Sequence, residues 1–353
     1  MVLMKIRAWL STMVTEFASS VNKKTSPSKS LNGRESMRFL VTGGAGFLGS
    51  SLVESLVDLG HDVVVLDNLW RGEKGNLHAV LDRISLIEAD ACLPSSYSSI
   101  VDPHSIDVVY HLAAINGTKW FHEKPRLVMD VNINSTLRSL EFAENHHCRY
   151  VFTSSPEAYG ESEKMPLGGD ESAVFSASHH HQRHAYGASK YLGELAVHHA
   201  VRNGMDARIV RPFNGYGPRL LGNEYGQVVA MMINSALQDG VISVHGDGSQ
   251  TRSLTYIDDL VQGMLASGLK NDAAGMCVNL GSEDEISMSE LAKRIANLVE
   301  QETGQTVSVD FSEGYPGDSK RRLPNLFQAE STLQWKAETS LEDGLLQTLR
   351  SML

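Results

Sequence analysis

The sequence predicts an α/β protein with a doubly wound parallel sheet and a smaller C-terminal α/β lobe. Three observations predict this fold class. Short apolar strands alternate with helical stretches in the first half of the chain, a glycine-rich turn joins the first strand to the first helix, and the alternation loosens beyond Phe213. Strands that alternate with helices are typical of βαβ units, which place their strands in one parallel sheet.

The elements of the first half follow one another at the spacing that βαβ units require. Each predicted strand is a short apolar run, and each predicted helix repeats its apolar residues at helical spacing. The strands are predicted at residues 38–42, 62–66, 84–88, 107–111, 149–153 and 207–211. The helices among them are predicted at residues 50–59, 128–145 and 185–201. In the second half, loops rich in Gly, Pro, Asn and Asp separate helices predicted at residues 228–238, 257–269 and 287–303.

Charge and cysteine content restrict the partners and the compartment. The chain has 353 residues and a formal net charge of −11. An acidic surface repels nucleic acid and anionic membranes, so neither is expected as a partner. Any phosphate on a ligand must therefore be held locally, by helix N-termini and a few arginines. The three cysteines lie far apart, and no apolar run approaches the ~18 residues that span a bilayer, which favours a reducing, cytoplasmic setting.

The glycine-rich turn has the features of a dinucleotide site. Gly43 permits a tight turn, Gly46 lets the backbone approach a pyrophosphate, and Gly49 allows the following helix to pack closely on the strand. Asp67 ends the second strand, where a carboxylate can accept hydrogen bonds from both ribose hydroxyls and would repel a 2′-phosphate. The turn therefore predicts a Rossmann-type domain that binds NAD rather than NADP.

Tyr186 and Lys190 form a candidate catalytic pair. They are four residues apart, so they share one face of a predicted helix. A phenol with a pKa near ~10 is a poor base at neutral pH, and a nearby ammonium together with the positive nicotinamide is expected to lower that pKa. Thr153, Ser154 and Ser155 end the fifth strand, so a hydroxyl can meet the pair at the carboxyl edge of the sheet, where such folds bind ligands.

With these motifs, the chain resembles the extended short-chain dehydrogenase/reductases, and among them the nucleotide-sugar epimerases, dehydratases and decarboxylases. The resemblance runs from about Met37 to the C-terminus. The motifs that carry it lie at residues 42–49, 67–69, 111–114, 155 with 159–160, 186–190, 211–214 with 216–219, and 246–252.

The resemblance implies NAD as the cofactor. Asp90 would contact the adenine, residues 112–114 would line the cofactor, and Asn132 would support the nicotinamide half. The residues so implied in cofactor binding are Gly43, Gly46, Phe47, Leu48, Gly49, Asp67, Asn68, Asp90, Ala91, Leu112, Ala113, Ala114, Asn132, Tyr186, Lys190 and Phe213.

The resemblance also implies a nucleotide-sugar substrate, expected to be UDP-linked, and a homodimer formed through a four-helix interface. Ser155 would hydrogen-bond the sugar 4-hydroxyl, and Tyr186 would remove its proton while hydride passes to NAD. Asn214, Arg252 and Arg322 would hold the substrate diphosphate. The two arginines suit that role, because a guanidinium can donate two parallel hydrogen bonds to phosphate oxygens.

The reaction that follows oxidation is open among three alternatives. The form of residues 185–190 and 132–137 is like that of the 4-epimerases, and a 4-epimerase is the favoured reading. Residues 211–259 are closer to UDP-glucuronate decarboxylases, in which Glu157 would be a fourth catalytic residue beside Ser155, Tyr186 and Lys190. A 4,6-dehydratase is disfavoured because Pro156 cannot donate a proton. The second alternative to the epimerase, after the decarboxylase, is a non-catalytic scaffold that binds NAD.

These motifs divide the chain into three predicted regions. Residues 1–36 are basic and poor in acids, which predicts a disordered extension, with a targeting peptide for organellar import as the alternative. Residues 37–212 would form the NAD-binding Rossmann domain and residues 213–353 the nucleotide-sugar-binding lobe. The boundary between these two regions is not expected to be clean, because strands can interleave.

A metal site is not predicted. His179, His180, His181 and His184 lie close together, but consecutive histidines in a loop rarely converge on one ion. No acid or cysteine lies near them at the spacing typical of zinc ligands. A loop role in sugar recognition remains the alternative for these histidines.

Overall fold

A computed structural model describes residues 36–223, 226–313 and 319–353 of the chain. The prediction of a disordered or targeting extension falls almost wholly on residues 1–35, which lie outside the described residues. Within the described part, no helix combines the length and the apolar character needed to cross a membrane.

Seven parallel strands form one sheet in the order β3-β2-β1-β4-β5-β6-β11. The strands of this sheet are β1 (Arg38–Thr42), β2 (Asp62–Asp67), β3 (Ile84–Glu88), β4 (Val108–His111), β5 (Arg149–Thr153), β6 (Ala207–Pro212) and β11 (Cys277–Leu280). The strand order reverses between β1 and β4, which is where doubly wound sheets open a crevice for ligands. This arrangement confirms the predicted fold class.

The helices cover both faces of the sheet and build much of the second half. They are α1 (Phe47–Asp58), α2 (Pro94–Tyr97), α3 (Thr118–Glu123), α4 (Pro125–Asn145), α5 (His184–Arg202), α6 (Val228–Asp239), α7 (Ile257–Leu269), α8 (Met288–Thr303) and α9 (Leu341–Arg350). The α4 helix begins three residues before its predicted start because Pro125 occupies its first turn, where a missing N–H leaves no helical bond unmade.

Small sheets complete the part of the chain that follows β6. Their strands are β7 (Gly215–Tyr216), β8 (Val241–His245), β9 (Thr251–Ser253), β10 (Thr255–Tyr256), β12 (Glu285–Ser287), β13 (Ser308–Ser312) and β14 (Arg321–Arg322). They pair as β10 with β7, β8 with β13, and β9 between β12 and β14. The sheet around β9 matters for function, since it carries Arg252 and Arg322 as register partners.

Alternate residues of the main strands supply two separate cores. Phe39 and Val41 of β1 belong to one buried cluster, while Leu40 belongs to the other. Successive side chains of a strand point to opposite faces, so the sheet is buried on both sides. The apolar interior holds the sheet rigidly and leaves its carboxyl edge free to carry polar side chains.

One strand of the sheet comes from beyond the expected boundary at residue 212. The β11 strand pairs in parallel with β6, Cys277 opposite Ile209 and Leu280 opposite Pro212. Only four residues long, it gives too little periodicity for sequence reasoning to detect. The two halves of the chain therefore share a continuous sheet.

Candidate active site

A cavity of about 1000 Å³ runs along the carboxyl edge of the main sheet. The loops after β1, β2, β3, β4, β5 and β6 line it, together with residues from the second half of the chain. This is the edge at which doubly wound sheets hold their ligands. The volume is at the upper end of the range for small-molecule sites, as two ligands side by side would require.

The glycine-rich turn brings its backbone to the wall of this cavity. Gly43 has a φ of +72°, and a Cβ there would lie 2.6 Å from the Ala113 nitrogen. A Cβ on Gly49 would lie 2.1 Å from the Gly43 oxygen. No side chain fits at either position, so the α1 N-terminus stays open toward the cavity. The turn suits a pyrophosphate, which needs close backbone approach and free N–H groups.

Asp67 lies at the end of β2, lines the cavity and is 8% exposed. Its two carboxylate oxygens accept hydrogen bonds from the Ala45 nitrogen at 2.9 Å and the Leu69 nitrogen at 2.8 Å. Burial raises the pKa of Asp67, and these two backbone bonds oppose that rise. Each oxygen keeps lone pairs for a further donor, so the carboxylate can accept ribose hydroxyls as expected.

Most of the other residues implied in cofactor binding also face the cavity. They follow β1, β2, β3 and β4 in turn, so consecutive strands contribute to one continuous wall. The additional residues at this wall are Phe47, Leu48, Asn68, Asp90, Ala91, Leu112, Ala113 and Ala114.

Asn132 and Phe213 do not line the cavity, so direct contact with the cofactor is not supported for either. Asn132 is buried in α4, where it accepts a hydrogen bond from the Ile115 nitrogen at 2.7 Å and donates to Ser189 at 3.2 Å. It therefore positions the loop after β4 against the helix that carries Tyr186. Phe213 is fully buried and packs with Tyr159 and Leu167 in a small apolar cluster.

Tyr186 lies in the wall of the cavity with its ring stacked on Phe121, the centroids 4.8 Å apart. Burial raises the pKa of its phenol; the hydrogen bond with Ser155 and the charge of Arg71 lower it, while Glu157 raises it further. The predicted lowering by Lys190 is therefore not seen in the chain alone. A phenolate at Tyr186 needs additional positive charge in the cavity, which an oxidised nicotinamide ring carries.

Lys190 is also buried at the cavity wall, one helical turn after Tyr186. Its ammonium donates a hydrogen bond to the Thr153 oxygen at 2.7 Å and lies 5.9 Å from the centre of the Tyr186 ring. Burial lowers its pKa to about 7, with Glu194 acting in the opposite direction. The group is therefore poised to exchange a proton near neutral pH.

Glu157 lies two residues beyond Ser155 and is surrounded by arginines. Its carboxylate oxygens lie 3.2 Å from a guanidinium nitrogen of Arg183 and 3.6 Å from one of Arg322. Burial alone would raise its pKa, but Arg183, Arg322 and Arg252 outweigh burial and hold that pKa at about 2. Glu157 is therefore an ionised carboxylate at neutral pH, held in the cavity wall rather than solvated on a loop.

The three residues expected to hold a diphosphate are placed differently. Asn214 and Arg252 line the cavity. Arg322 does not: it is 4% exposed, and its guanidinium donates to the backbone oxygens of Pro156 at 3.2 Å and Gly160 at 2.7 Å. Arg322 therefore lies outside the cavity lining, and diphosphate binding by it stays a prediction. Its charge is directed instead at the loop that carries Glu157.

Three arginines that line the cavity were not predicted as site residues: Arg71, Arg183 and Arg219. Arg183 precedes Tyr186 by three residues, lines the cavity and is 8% exposed. Arg71 follows β2 by four residues, lines the cavity and lies close enough to Tyr186 to affect its pKa. A signal for Arg183 was present, since it is a cation one helical turn before the candidate base. Arg71 gave no such signal because its proximity to Tyr186 depends on how the loop after β2 folds.

Known proteins resemble this chain over most of its length. The NAD dependent epimerase/dehydratase family matches residues 39–281. UDP-N-acetyl-alpha-D-glucosaminuronate decarboxylase of Bacillus cytotoxicus is 34% identical over 316 residues, covering 89% of this chain and 97% of that protein. UDP-glucuronic acid decarboxylase 1 of Arabidopsis thaliana is 33% identical over 316 residues, covering 89% and 69%. The structure of UDP-glucose 4-epimerase from Thermotoga maritima with UDP-glucose has a TM-score of 0.81 at 28% identity, covering 90% and 98%.

Proposed function

Because this chain belongs to the NAD dependent epimerase/dehydratase family, we propose that it decarboxylates a UDP-linked hexuronate through a 4-keto sugar. Membership makes it an NAD-dependent enzyme, so the scaffold alternative is not supported. Both curated relatives described above are named as decarboxylases of UDP-linked uronates. The prediction of a 4-epimerase is therefore less well supported than its decarboxylase alternative.

The observation that carries this proposal is the charge around Glu157. Arg183 and Arg252 line the cavity beside Ser155 and Tyr186, and both act on the same carboxylate. Arg322 does not line the cavity but adds a third guanidinium, 3.6 Å from Glu157. Three guanidinium groups therefore lie close enough to Glu157 to lower its pKa. Such a wall favours a sugar that carries its own carboxylate close to the reacting carbon.

Ser155 and Tyr186 account for the proton transfer at the sugar 4-hydroxyl, and C5 takes its proton from water. When bound, NAD supplies a hydride acceptor for C4 and returns the hydride at the end. Ser155 hydrogen-bonds the 4-hydroxyl and Tyr186 takes its proton. The C5–C6 bond then breaks, carbon dioxide leaves, and the electron pair passes through C5 to the oxygen on C4. Tyr186 and Ser155 stabilise that oxygen by hydrogen bonds until C5 is protonated.

The direct test is release of carbon dioxide from UDP-glucuronate and from UDP-N-acetylglucosaminuronate, both labelled at C6. We expect the purified protein with NAD to release label from one of them and to form the matching UDP-pentose. Glu157→Gln should reduce release about 10²-fold, because a neutral amide no longer holds Arg183 and Arg322. Glu163→Gln is the matched control, since Glu163 is exposed on the same loop.

The epimerase alternative gives the opposite outcome in the same assay. It is favoured by the structural likeness to UDP-glucose 4-epimerase. Interconversion of UDP-glucose and UDP-galactose without any release of label from either uronate would contradict the decarboxylase proposal. Both reactions begin with oxidation at C4, so chromatographic separation of the products is what distinguishes them.

A further inference from the structure

Three side chains outside the cavity bring their ligand atoms together. The Nε2 atoms of His181 and His184 each lie 3.1 Å from Oε1 of Glu161. Each residue offers one ligand atom to the group, and these atoms all lie within 4.8 Å of one another. Glu161 follows the 3₁₀ turn Pro156–Tyr159 that carries Glu157, and the histidines lie at the start of α5. None of the three lines the cavity.

We propose that Glu161, His181 and His184 form a binding site for a divalent transition metal such as Zn²⁺. Two imidazole nitrogens and one carboxylate oxygen are a ligand set that zinc uses in proteins. Tetrahedral ligands at zinc distances lie about 3.3 Å from one another, close to the two 3.1 Å separations of the cluster. The ligand atoms of the two histidines lie within 4.8 Å of each other, and side-chain rotation must bring them to the same tetrahedral separation to admit the ion.

A fourth ligand position is available at the same place. The Ser176 hydroxyl lies 3.2 Å from Nε2 of His184 and 3.5 Å from Nε2 of His181. It marks a polar corner of the cluster at which a water molecule or the hydroxyl itself completes a tetrahedron. Three protein ligands and one exchangeable position match the zinc sites in which a water molecule is the fourth ligand.

The protonation of the cluster suits a cation. Burial would raise the pKa of Glu161, but hydrogen bonds from His181, Ser176 and His184 outweigh it and lower that pKa. Burial lowers the pKa of His184, which keeps its imidazole neutral with a lone pair to donate. Metal binding requires ionised carboxylates and neutral imidazoles, and the surroundings of Glu161 and His184 favour these forms in those two residues.

The ring of His181 shows that the metal-free cluster is not fully satisfied. Its Nδ1 is buried without a hydrogen-bond partner among the described residues. A proton shift from Nε2 to Nδ1, which ligation would need, leaves that atom as unsatisfied as it was before. Within the part of the chain that the structure describes, Nδ1 is therefore without a partner in either tautomer, while the shared Oε1 exchanges two hydrogen bonds for a metal bond.

The consequence of an ion here would be mechanical rather than catalytic. The site ties the segment after Glu157 to the first turn of the helix that carries Tyr186. Those two segments bring the proposed catalytic groups together in the cavity wall. A bound metal would therefore fix the loop between residues 161 and 181, whose closure otherwise relies on hydrogen bonds.

Zinc binding to the full chain without an affinity tag tests the proposal. After treatment with a chelator and dialysis, calorimetric titration with ZnCl₂ should give one ion per chain, and Co²⁺ should give the visible absorption of a tetrahedral site. His181→Ala, His184→Ala and Glu161→Gln should each weaken Zn²⁺ binding at least tenfold. Zn²⁺ should also raise the melting temperature of the parent protein and leave that of the three variants unchanged.

The neighbouring histidines provide matched controls. His179 and His180 are exposed and contact each other, with ring centroids 4.6 Å apart. His179→Ala and His180→Ala should bind Zn²⁺ as the parent does. Equal loss in these variants would show adventitious binding to a histidine-rich loop and would overturn the proposal, as would unchanged binding in His181→Ala and His184→Ala. NAD binding and the circular dichroism spectrum of each variant report whether it is folded.

Discussion

Tyr186 occupies a site that does not by itself favour the charged form of a phenol. Its ring packs on Phe121, and burial outweighs both Ser155 and Arg71 in setting the pKa. The positive charge of the oxidised coenzyme would lower the pKa of Tyr186 further. Deprotonation of Tyr186 is therefore linked to coenzyme binding, and the phenol keeps its proton while the cavity is empty.

Replacing Tyr186 by Phe removes only the hydroxyl that exchanges the proton. We expect Tyr186→Phe to lower turnover about 10²–10⁴-fold and to leave NAD affinity within threefold of the parent. Product chromatography and NAD titration measure the two quantities. Tyr191→Phe is the control, because Tyr191 lies on the same helix and is 36% exposed. Retained turnover in Tyr186→Phe would show that another group takes the proton.

Lys190 makes a prediction about pH and stability. Its pKa is about 7 in the folded chain against an ordinary 10.5, and burial is the cause. Between those pH values the unfolded chain holds a proton that the folded chain has lost, so stability rises with pH. Relative to Lys190→Met, the free energy of unfolding of the parent should rise by about 1 kcal/mol per pH unit from about pH 7 to about pH 10. Urea unfolding without NAD at several pH values measures this difference.

A parallel pH dependence in the parent and Lys190→Met would contradict that assignment. It would mean that the ammonium stays protonated in the folded chain throughout this range. The hydrogen bond to the Thr153 oxygen would then outweigh the loss of solvation.

At the scale of single residues, the sequence predicts placement at the cavity best where a motif fixes the backbone, and least well where a long side chain has several possible directions. Gly43, Gly49 and Asp67 are placed as expected, because turn and strand leave them little freedom. Arg322 is in register with Arg252 on the neighbouring strand, yet its guanidinium turns away to Pro156 and Gly160. The direction of the guanidinium depends on which carbonyl oxygens lie nearby in the fold, and no sequence pattern predicts those neighbours.

At the scale of elements, the turn between β1 and α1 has the strictest steric requirement. We expect Gly49→Ala to weaken NAD binding at least tenfold, because a Cβ would lie 2.1 Å from the Gly43 oxygen and push the turn apart. Gly75→Ala is the matched control, since a Cβ there has no atom within 4 Å. Titration with NAD distinguishes the two variants. Equal affinity would contradict the close packing of this turn.

How well each strand or helix could be predicted from the sequence depended on its length and periodicity. The six predicted strands lie within one residue of the observed bounds, because each is a distinct apolar run between turn residues. The β11 strand and the short α3 helix (Thr118–Glu123) were missed because neither is long enough to show a period. Glu161 was missed as a partner of His181 for another reason: twenty residues separate them, and only the fold of the intervening loop brings them together.

At the scale of the whole molecule, α4 and α5 pack side by side and leave apolar side chains in solvent. Leu137 of α4 is 43% exposed, and Leu192 and Leu195 of α5 are 48% and 46% exposed. A cluster of this kind on an acidic protein is typical of an association surface. We propose that two copies pair through these helices, as the family resemblance implies for a homodimer.

A charged residue introduced on this surface should prevent the two copies from pairing. Leu195→Glu is expected to shift the protein from dimer to monomer in sedimentation velocity at micromolar concentration, because a buried carboxylate would face apolar side chains. Val101→Glu is the control, since Val101 is 78% exposed on a loop outside both helices. A parent protein that sediments as a monomer would rule out the pairing.

The placement of β11 beside β6 also sets the order in which this molecule can take shape during synthesis. When the ribosome has made residue 212, six of the seven strands exist, but β6 still has one edge without a neighbour. That edge stays unpaired until residue 280 has been translated, after β7 to β10 and the helices α6 and α7 have been made. A nascent chain stalled in this interval presents a bare strand, so this stretch of translation is when a chaperone would have most to protect.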